Sequence, residues 1–353
     1  MAMRGFIGLS LTAMLAGCGV AGQVDDSSQD PTAEGAFKVR CPDPQTDCTV
    51  NNGAGVYTEE YGSAGIGQQH YMITHFINNA GGGVSLQVRY FEAATGTWQV
   101  TNGAVYYANY RGKHTLTVLS VSESLTTPSW TIYDASTSSN ITVTGADILN
   151  LEVVLSLDKL YTIDWDVAGS ETMKATIQEY NMRWRLTGSS SANQYCFRGD
   201  GTKDAVVFQQ GMWVNPVTAK VARSSTIEGY VTLSCRYGAI ATARLWGYPY
   251  RTPYNTFFYD SALQMKRASY CADSEFYTHS GTKIRVWDAA GVQDDPMTPA
   301  EIEAYWTPNG ATCIGPMRHW GMGFSGSCNG VPLPKCETAA PGKLADAATP
   351  PAF

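Results

Sequence analysis

Nine cysteines limit what this chain can fold into more than any other feature of its sequence. Cys18 stands apart near the N-terminus, which leaves Cys41, Cys48, Cys196, Cys235, Cys271, Cys313, Cys328 and Cys336. In an exported chain such an even set reads as disulfides. Zinc is the competing use of so many thiols, but none of the spacings is the two-residue C-x-x-C of a zinc knuckle. The pairings open to eight cysteines are too many for sequence alone to choose among them. The nearest neighbours, Cys41 with Cys48 and Cys328 with Cys336, are the simplest local links. They leave Cys196, Cys235, Cys271 and Cys313, for which the preferred arrangement joins Cys196 to Cys235 and Cys271 to Cys313.

The compartment that decides the matter is written at the N-terminus. "MAMRGFIGLSLTAMLAGCGVAGQ" carries one basic residue, Arg4, then an apolar run from Gly5 to Ala16, then small residues. The run is too short for a membrane-spanning helix and suits the core of an export signal. Leu15-Ala16-Gly17-Cys18 resembles a bacterial lipobox. That resemblance implies removal of residues 1–17 and a diacylglyceryl group on Cys18, with the membrane as partner through this lipid. Gly19 beside the cysteine is unlike an inner-membrane retention signal and points to the outer membrane or cell surface. Residues 18–40, small and acidic, read as a flexible tether. No later stretch is apolar for long enough to span a bilayer; the longest, "ILNLEVVLSL", is cut by Asn150, Glu152 and Ser156.

Charge excludes one class of partner. Lys and Arg total 24 against 31 Asp and Glu, a net charge of −7, with no basic run. Phosphate binding needs a concentrated basic surface, so a nucleic-acid partner is not expected.

Residues 41–185 alternate with period two between turn-rich clusters. "QHYMITHFI", "VSLQVRYFE", "GKHTLTVLSV", "SWTIYD", "LEVVLSLD", "YTIDWDV" and "MKATIQEYNMRWRL" are the expected strands of a β-sandwich or open barrel, the sandwich being preferred. From 186 to 336 strands are expected in "DAVVF", "GYVTLSC" and "AIATARLWGY". Phe258, Ala262, Met265 and Ser269 stand at helical spacing. In "MTPAEIEAYW", Thr298, Pro299 and Glu301 form a capping box for a second helix. The fold class is therefore mainly β with α+β: a β-sandwich-like domain, then a disulfide-braced α+β domain. The junction is expected in "RLTGSSSAN", and residues 337–353 read as a disordered tail.

Within residues 195–336, "YCFRGDG", "TLSCRYGAIATARLWGYPY", "MKRASYCADSEFYTHSGTKIRVWDAAGVQ" and "AYWTPNGATCIGPMRHW" follow one another in an order that resembles the ADYC-domain proteins, found mostly as myxobacterial lipoproteins and secreted proteins. The resemblance implies an address outside the cytoplasm and no assigned chemistry. The namesake Ala-Asp-Tyr-Cys is Ala-Ser-Tyr-Cys here, with Ser269 in place of the acid. Two cysteines of the family pattern correspond to Ala243 and Ala262, as loss of one shared disulfide would leave them.

Candidate chemistry is sparse. Cys271, Asp273 and His279 have the make-up of a thiol nucleophile with base and orienter, but such a thiol must stay free. A disulfide is the expectation for Cys271. His70 and His75, five apart on a strand, fall on opposite faces and cannot share a metal. "GFSGSC" lacks the final glycine and the strand-to-helix setting of a hydrolase elbow. Asp200 with Asp204, and Asp273 with Asp288, are the acid pairs that could serve proton transfer. The best binding feature is the aromatic run holding Trp246, Tyr248, Tyr250, Arg251 and Tyr254, whose rings could stack on a glycan or clasp a peptide. No catalytic residue, metal or cofactor is assigned. The chain reads as a lipid-anchored, disulfide-braced envelope protein of binding or structural type, the alternative being an exported hydrolase of glycans or peptides.

Overall fold

The computed structural model describes residues 65–92, 94–123, 128–167, 179–197, 203–211, 213–215, 221–222, 229–236, 238–248, 256–271, 277, 283–316 and 324–349. The expectations for Cys18, Cys41, Cys48, the tether and the Asp200, Asp273 and His279 positions lie outside them. The chain first runs through β1 (Met72–Asn78), β2 (Val84–Glu92), β3 (Thr97–Tyr110), β4 (Lys113–Glu123) and β5 (Pro128–Asp134). It continues through β6 (Ser139–Thr144), β7 (Leu151–Ser156), β8 (Leu160–Val167) and β9 (Tyr180–Leu186). Then come β10 (Asn193–Gln194), β11 (Cys196–Phe197), β12 (Lys203–Asp204) and β13 (Val206–Gln210). After β14 (Trp213–Val214), β15 (Val221–Ala222) and β16 (Tyr230–Cys235), two helices follow, α1 (Ala239–Leu245) and α2 (Thr256–Arg267). The last strands are β17 (Lys283–Asp288), β18 (Ala304–Thr307), β19 (Gly310–Ala311), β20 (Ser327–Cys328), β21 (Val331–Pro332) and β22 (Leu344–Thr349).

The protein is mainly β, but the expected sandwich is a closed barrel. Strands β2-β1-β16-β13-β9-β8-β7-β3 pair in that order, and β3 pairs back onto β2. Closure comes from the length of β3. Its 14 residues change partner midway: Thr97–Ala104 run against β2 and Ala104–Tyr110 against β7. A register shift between Val105 and Tyr107 marks the bend, the device by which a strand turns a corner between sheets. The β4-β5-β6 meander continues from β3.

Residues opposite one another across a ladder share a face. Phe76 faces Val231 and Leu86, Phe208 faces Leu233, and Trp165 faces Met182, all buried. This face is the barrel interior. Trp130 of β5 reaches it, edge-on to Phe76 at 5.2 Å and 6.2 Å from Trp165. The opposite face carries Gln209, Thr232, Asn181, Asp164 and Arg183.

Strands from both sides of residue 186 build this one barrel. β13 and β16 sit between β1 and β9, so the junction expected in "RLTGSSSAN" is not a boundary between sheets. The Cys196–Cys235 disulfide, as expected, lies at this seam. The Tyr195 hydroxyl accepts the Ile73 N–H at 2.8 Å there.

Against the outer face of β13 and β16 lie the helices, and beyond them the sheet β17-β22-β18-β19. Gln209 of the barrel donates to the Ile240 carbonyl at 3.0 Å and accepts from the Tyr259 hydroxyl at 2.8 Å. Three expectations fail in this layer. "AIATARL" is a helix, because alanine, leucine and arginine favour helix and Gly247, at φ 95°, ends it. Six of its seven residues are buried, which erases the stripe that would have revealed it. The capping box of Thr298 and Glu301 forms, with Thr298 N–H and Oγ1 donating to Glu301 at 2.7 and 2.8 Å. It closes only a turn, since the Glu303 N–H is taken by the Asp346 carbonyl and the chain enters β18. Residues 344–349 of the expected tail form β22, in the middle of the sheet, with Leu344 and Asp346 fully buried.

Candidate functional site

Helix α2 leads into the Ala-Ser-Tyr-Cys segment, and its end sets the geometry. Ala268 takes a left-handed φ of 52°. Its N–H bonds to the Met265 carbonyl and that of Ser269 to the Gln264 carbonyl, the paired bonds of a Schellman stop. Alanine rather than glycine holds this position at a cost of about 1 kcal/mol. The chain is thereby turned so that Tyr270 enters the layer between α2 and the sheet.

Tyr270 is the centre of an aromatic stack. Its ring lies 4.6 Å from Phe324, 5.4 Å from Trp306 and 5.8 Å from Tyr277. Its hydroxyl donates to Glu303 Oε1, and Trp306 Nε1 donates to Asp346 Oδ1 at 2.7 Å. Glu303 and Asp346 are fully buried, as are Lys266 and Arg267 to within a per cent. Buried charges persist only when paired and hydrogen-bonded. The Tyr270 carbonyl accepts the Ala311 N–H at 2.9 Å. A β-carbon on Gly310 would fall 2.5 Å from that carbonyl oxygen, at a backbone φ of 102° that itself favours glycine.

Two crossed disulfides clamp the segment. Cys271 is bonded to Cys328, and Cys313 to Cys336. The expected links Cys271–Cys313 and Cys328–Cys336 are both replaced. Asn329 and Gly330, at φ 52° and 78°, make a tight hairpin in which Cys328 pairs with Val331. The chain leaving that hairpin carries Cys336 away from Cys328 and alongside Ile314, next to Cys313. Ser327 of "GFSGSC" pairs with Pro332 in the same hairpin and forms no elbow.

A second buried centre braces α1. Asp288 accepts the Tyr248 hydroxyl at 2.9 Å and the N–H groups of Ala290 and Gln293 at 2.7 and 2.6 Å. Burial pushes its carboxyl up against the pull of these donors. Burial and the adjacent carboxylate push the Tyr248 hydroxyl well above its ordinary value. Gln293 ties the Trp246 carbonyl to the same turn at 2.6 Å. Trp246 and Tyr248 are thus core residues, each 1% exposed, and not the open rings expected of a binding loop. Burial on α1 and β17 overrides the surface reading of an aromatic run. Tyr250, Arg251 and Tyr254 lie outside the described residues.

Sequence reasoning missed a third buried centre. Arg244 of α1 donates to Glu123 Oε1 of β4 at 2.6 Å and to the Phe208 carbonyl at 2.8 Å, with both charged side chains 2% exposed. The signal was an arginine inside an otherwise apolar run. His75 is also buried, its ring 6.3 Å from Trp213 and 5.8 Å from Tyr230. Burial draws its pKa down to about 3. His70 sits in the exposed turn before β1. Among the described residues no group of three or more His, Cys, Asp or Glu is placed to hold a metal.

The sequence model of the ADYC domain matches residues 138–320. The chain belongs to the ADYC-domain family. The match begins at β6 rather than at Tyr195, so it takes in barrel strands β7, β8 and β9 with the helices. It ends before Cys328 and Cys336, the partners of Cys271 and Cys313. No curated protein and no solved structure matches the chain. In this ADYC protein Ser269, where the family acid is expected, is fully buried. Ala243 and Ala262, where family cysteines are expected, are buried on helices packed against each other.

Proposed function

We propose that this ADYC protein is lipid-anchored at Cys18 in the cell envelope and serves a binding or structural role there. The observation that carries the non-catalytic reading is the use made of the namesake motif. Cys271 is bonded to Cys328, and Tyr270 spends its hydroxyl on Glu303 inside the fold. A thiol in a disulfide is no nucleophile, and a carboxylate shut away from water meets no substrate. Three disulfides among the described residues suit an oxidising compartment. The lipobox-like Leu15-Ala16-Gly17-Cys18 supplies the anchor, and two acyl chains hold a protein stably on a bilayer. The partner class is a glycan or peptide of the envelope.

Metabolic labelling with a fatty-acid probe tests the anchor. The wild-type chain takes the label and Cys18→Ala does not; a labelled alanine variant overturns lipidation. The role is tested by incubating the oxidised chain with envelope glycans and peptides and following both binding and cleavage. Saturable retention of intact ligand supports the reading, and turnover of any of them replaces it with the hydrolase.

A further inference from the structure

Among the described residues, strand β3 has one edge paired with β2 and the other paired with a strand only in its second half. Its first edge is registered on β2 from Thr97 to Ala104. On the second edge β7 begins only at Ala104, facing Ser156, and the β7–β8 turn comes up against Gly103. Among the described residues no strand pairs with this second edge between Thr97 and Asn102. Thr97, Val100, Thr101 and Asn102 are all exposed, on both faces of the ribbon. Edge strand β6 differs in turning Val143 fully into the core.

Exposed edges are normally guarded by lysine, proline or inward charges. Residues 97–110, "TWQVTNGAVYYANY", contain no charged residue and no proline. Edge strand β17, by contrast, carries Lys283, Arg285 and Asp288. The β3 segment is therefore a strand-pairing surface without a guard. An antiparallel edge is complementary to itself, because a twofold axis normal to the sheet returns the same residues in reverse order. A neutral segment meets its own copy with no like-charge penalty.

We infer that the edge of β3 from Thr97 to Asn102 is a homodimerisation surface, pairing antiparallel with a second copy about a twofold near Val100. The two barrels then share one continuous ribbon through β2 and β3, and Trp98–Asn102 of one copy runs against Asn102–Trp98 of the other.

Sedimentation velocity of the full oxidised chain in non-ionic detergent, with amide hydrogen exchange on the same samples, tests this. Between about 1 and about 100 µM the chain passes from monomer to dimer, and the amides in 97–102 that point away from β2 slow as dimer forms. Val100→Lys sets two ammonium groups across the axis and weakens association roughly tenfold or more, while Val100→Thr keeps it. Val100 is 38% exposed, so both variants keep the wild-type melting curve, which separates lost pairing from lost fold. A monomer at every concentration overturns the inference. So does a dimer indifferent to Val100→Lys, or a monomer in which the alternate 97–102 amides that point away from β2 are already protected.

Discussion

The barrel and the helix-and-sheet layer beside it are held by different means. The barrel interior is aromatic and aliphatic, with Phe76, Trp130, Trp165 and Phe208 in mutual contact. Charged residues also lie on its outer face, where Arg183 and Arg185 reach Asp164 across strands β8 and β9, and Arg89, Glu123 and Asp134 are buried on its strands and those of the adjoining meander. The outer layer buries Lys266, Arg267, Asp288, Glu303 and Asp346 within short elements, and is crossed by two disulfides. Closed ladders satisfy their backbone groups without help. Short strands and short helices cannot, and here buried hydrogen bonds and covalent links supply what regular pairing does not.

The Arg244–Glu123 pair joins the two regions, and breaking it is the harshest test of the comparison. Arg244→Met removes the guanidinium that faces the buried Glu123 carboxylate and should lower unfolding free energy by about 3–5 kcal/mol. Adding Glu123→Leu should restore most of that loss. Urea unfolding read by barrel tryptophan fluorescence checks both variants.

Removing the clamp comes next. Replacing Cys271 and Cys328 together by serine releases a link with a sequence separation of 57, costing about 2–4 kcal/mol. The loss should fall on the outer layer: amides of α2 and β18 exchange faster, while those of β7 and β8 keep most of their protection. Equal losses in both regions would merge them into one cooperative unit.

Near neutral pH the smallest effect is a pH dependence seated in the barrel wall. His75 has a folded pKa of about 3 against 6.5 when unfolded. Between those values the unfolded chain takes up a proton that the folded chain refuses. Stability is therefore full above pH 6.5 and falls as pH drops towards 3, by at most about 1.4 kcal/mol per pH unit. His75→Gln should flatten that slope in urea midpoints taken at a series of pH values.

The same contrast explains what the sequence could tell. β2 is found at Val84–Glu92, as "VSLQVRYFE" predicts, because one face meets the core and alternation survives. β3 went unrecognised because Thr101 and Asn102 are both exposed, so its start has no inside. α1 went unrecognised for the opposite reason, being buried on nearly all sides. β22 has too few large apolar residues to announce itself; its place is fixed by pairing with β17 and β18. Of the central site, the cysteines were legible and Tyr270 entered only within the Ala-Ser-Tyr-Cys segment, whereas Glu303 and Asp346 were not. Each is an acid whose burial depends on chain segments far from it in sequence.

The claim that the namesake motif is a brace is tested most directly by peptide mapping of the unreduced, alkylated protein isolated from the envelope. The account predicts a Cys271 peptide linked to the Cys328 peptide, a second linkage of Cys313 to Cys336, and no alkylated Cys271. A free, readily alkylated Cys271 in correctly exported protein would contradict it and return that residue to the nucleophile's role.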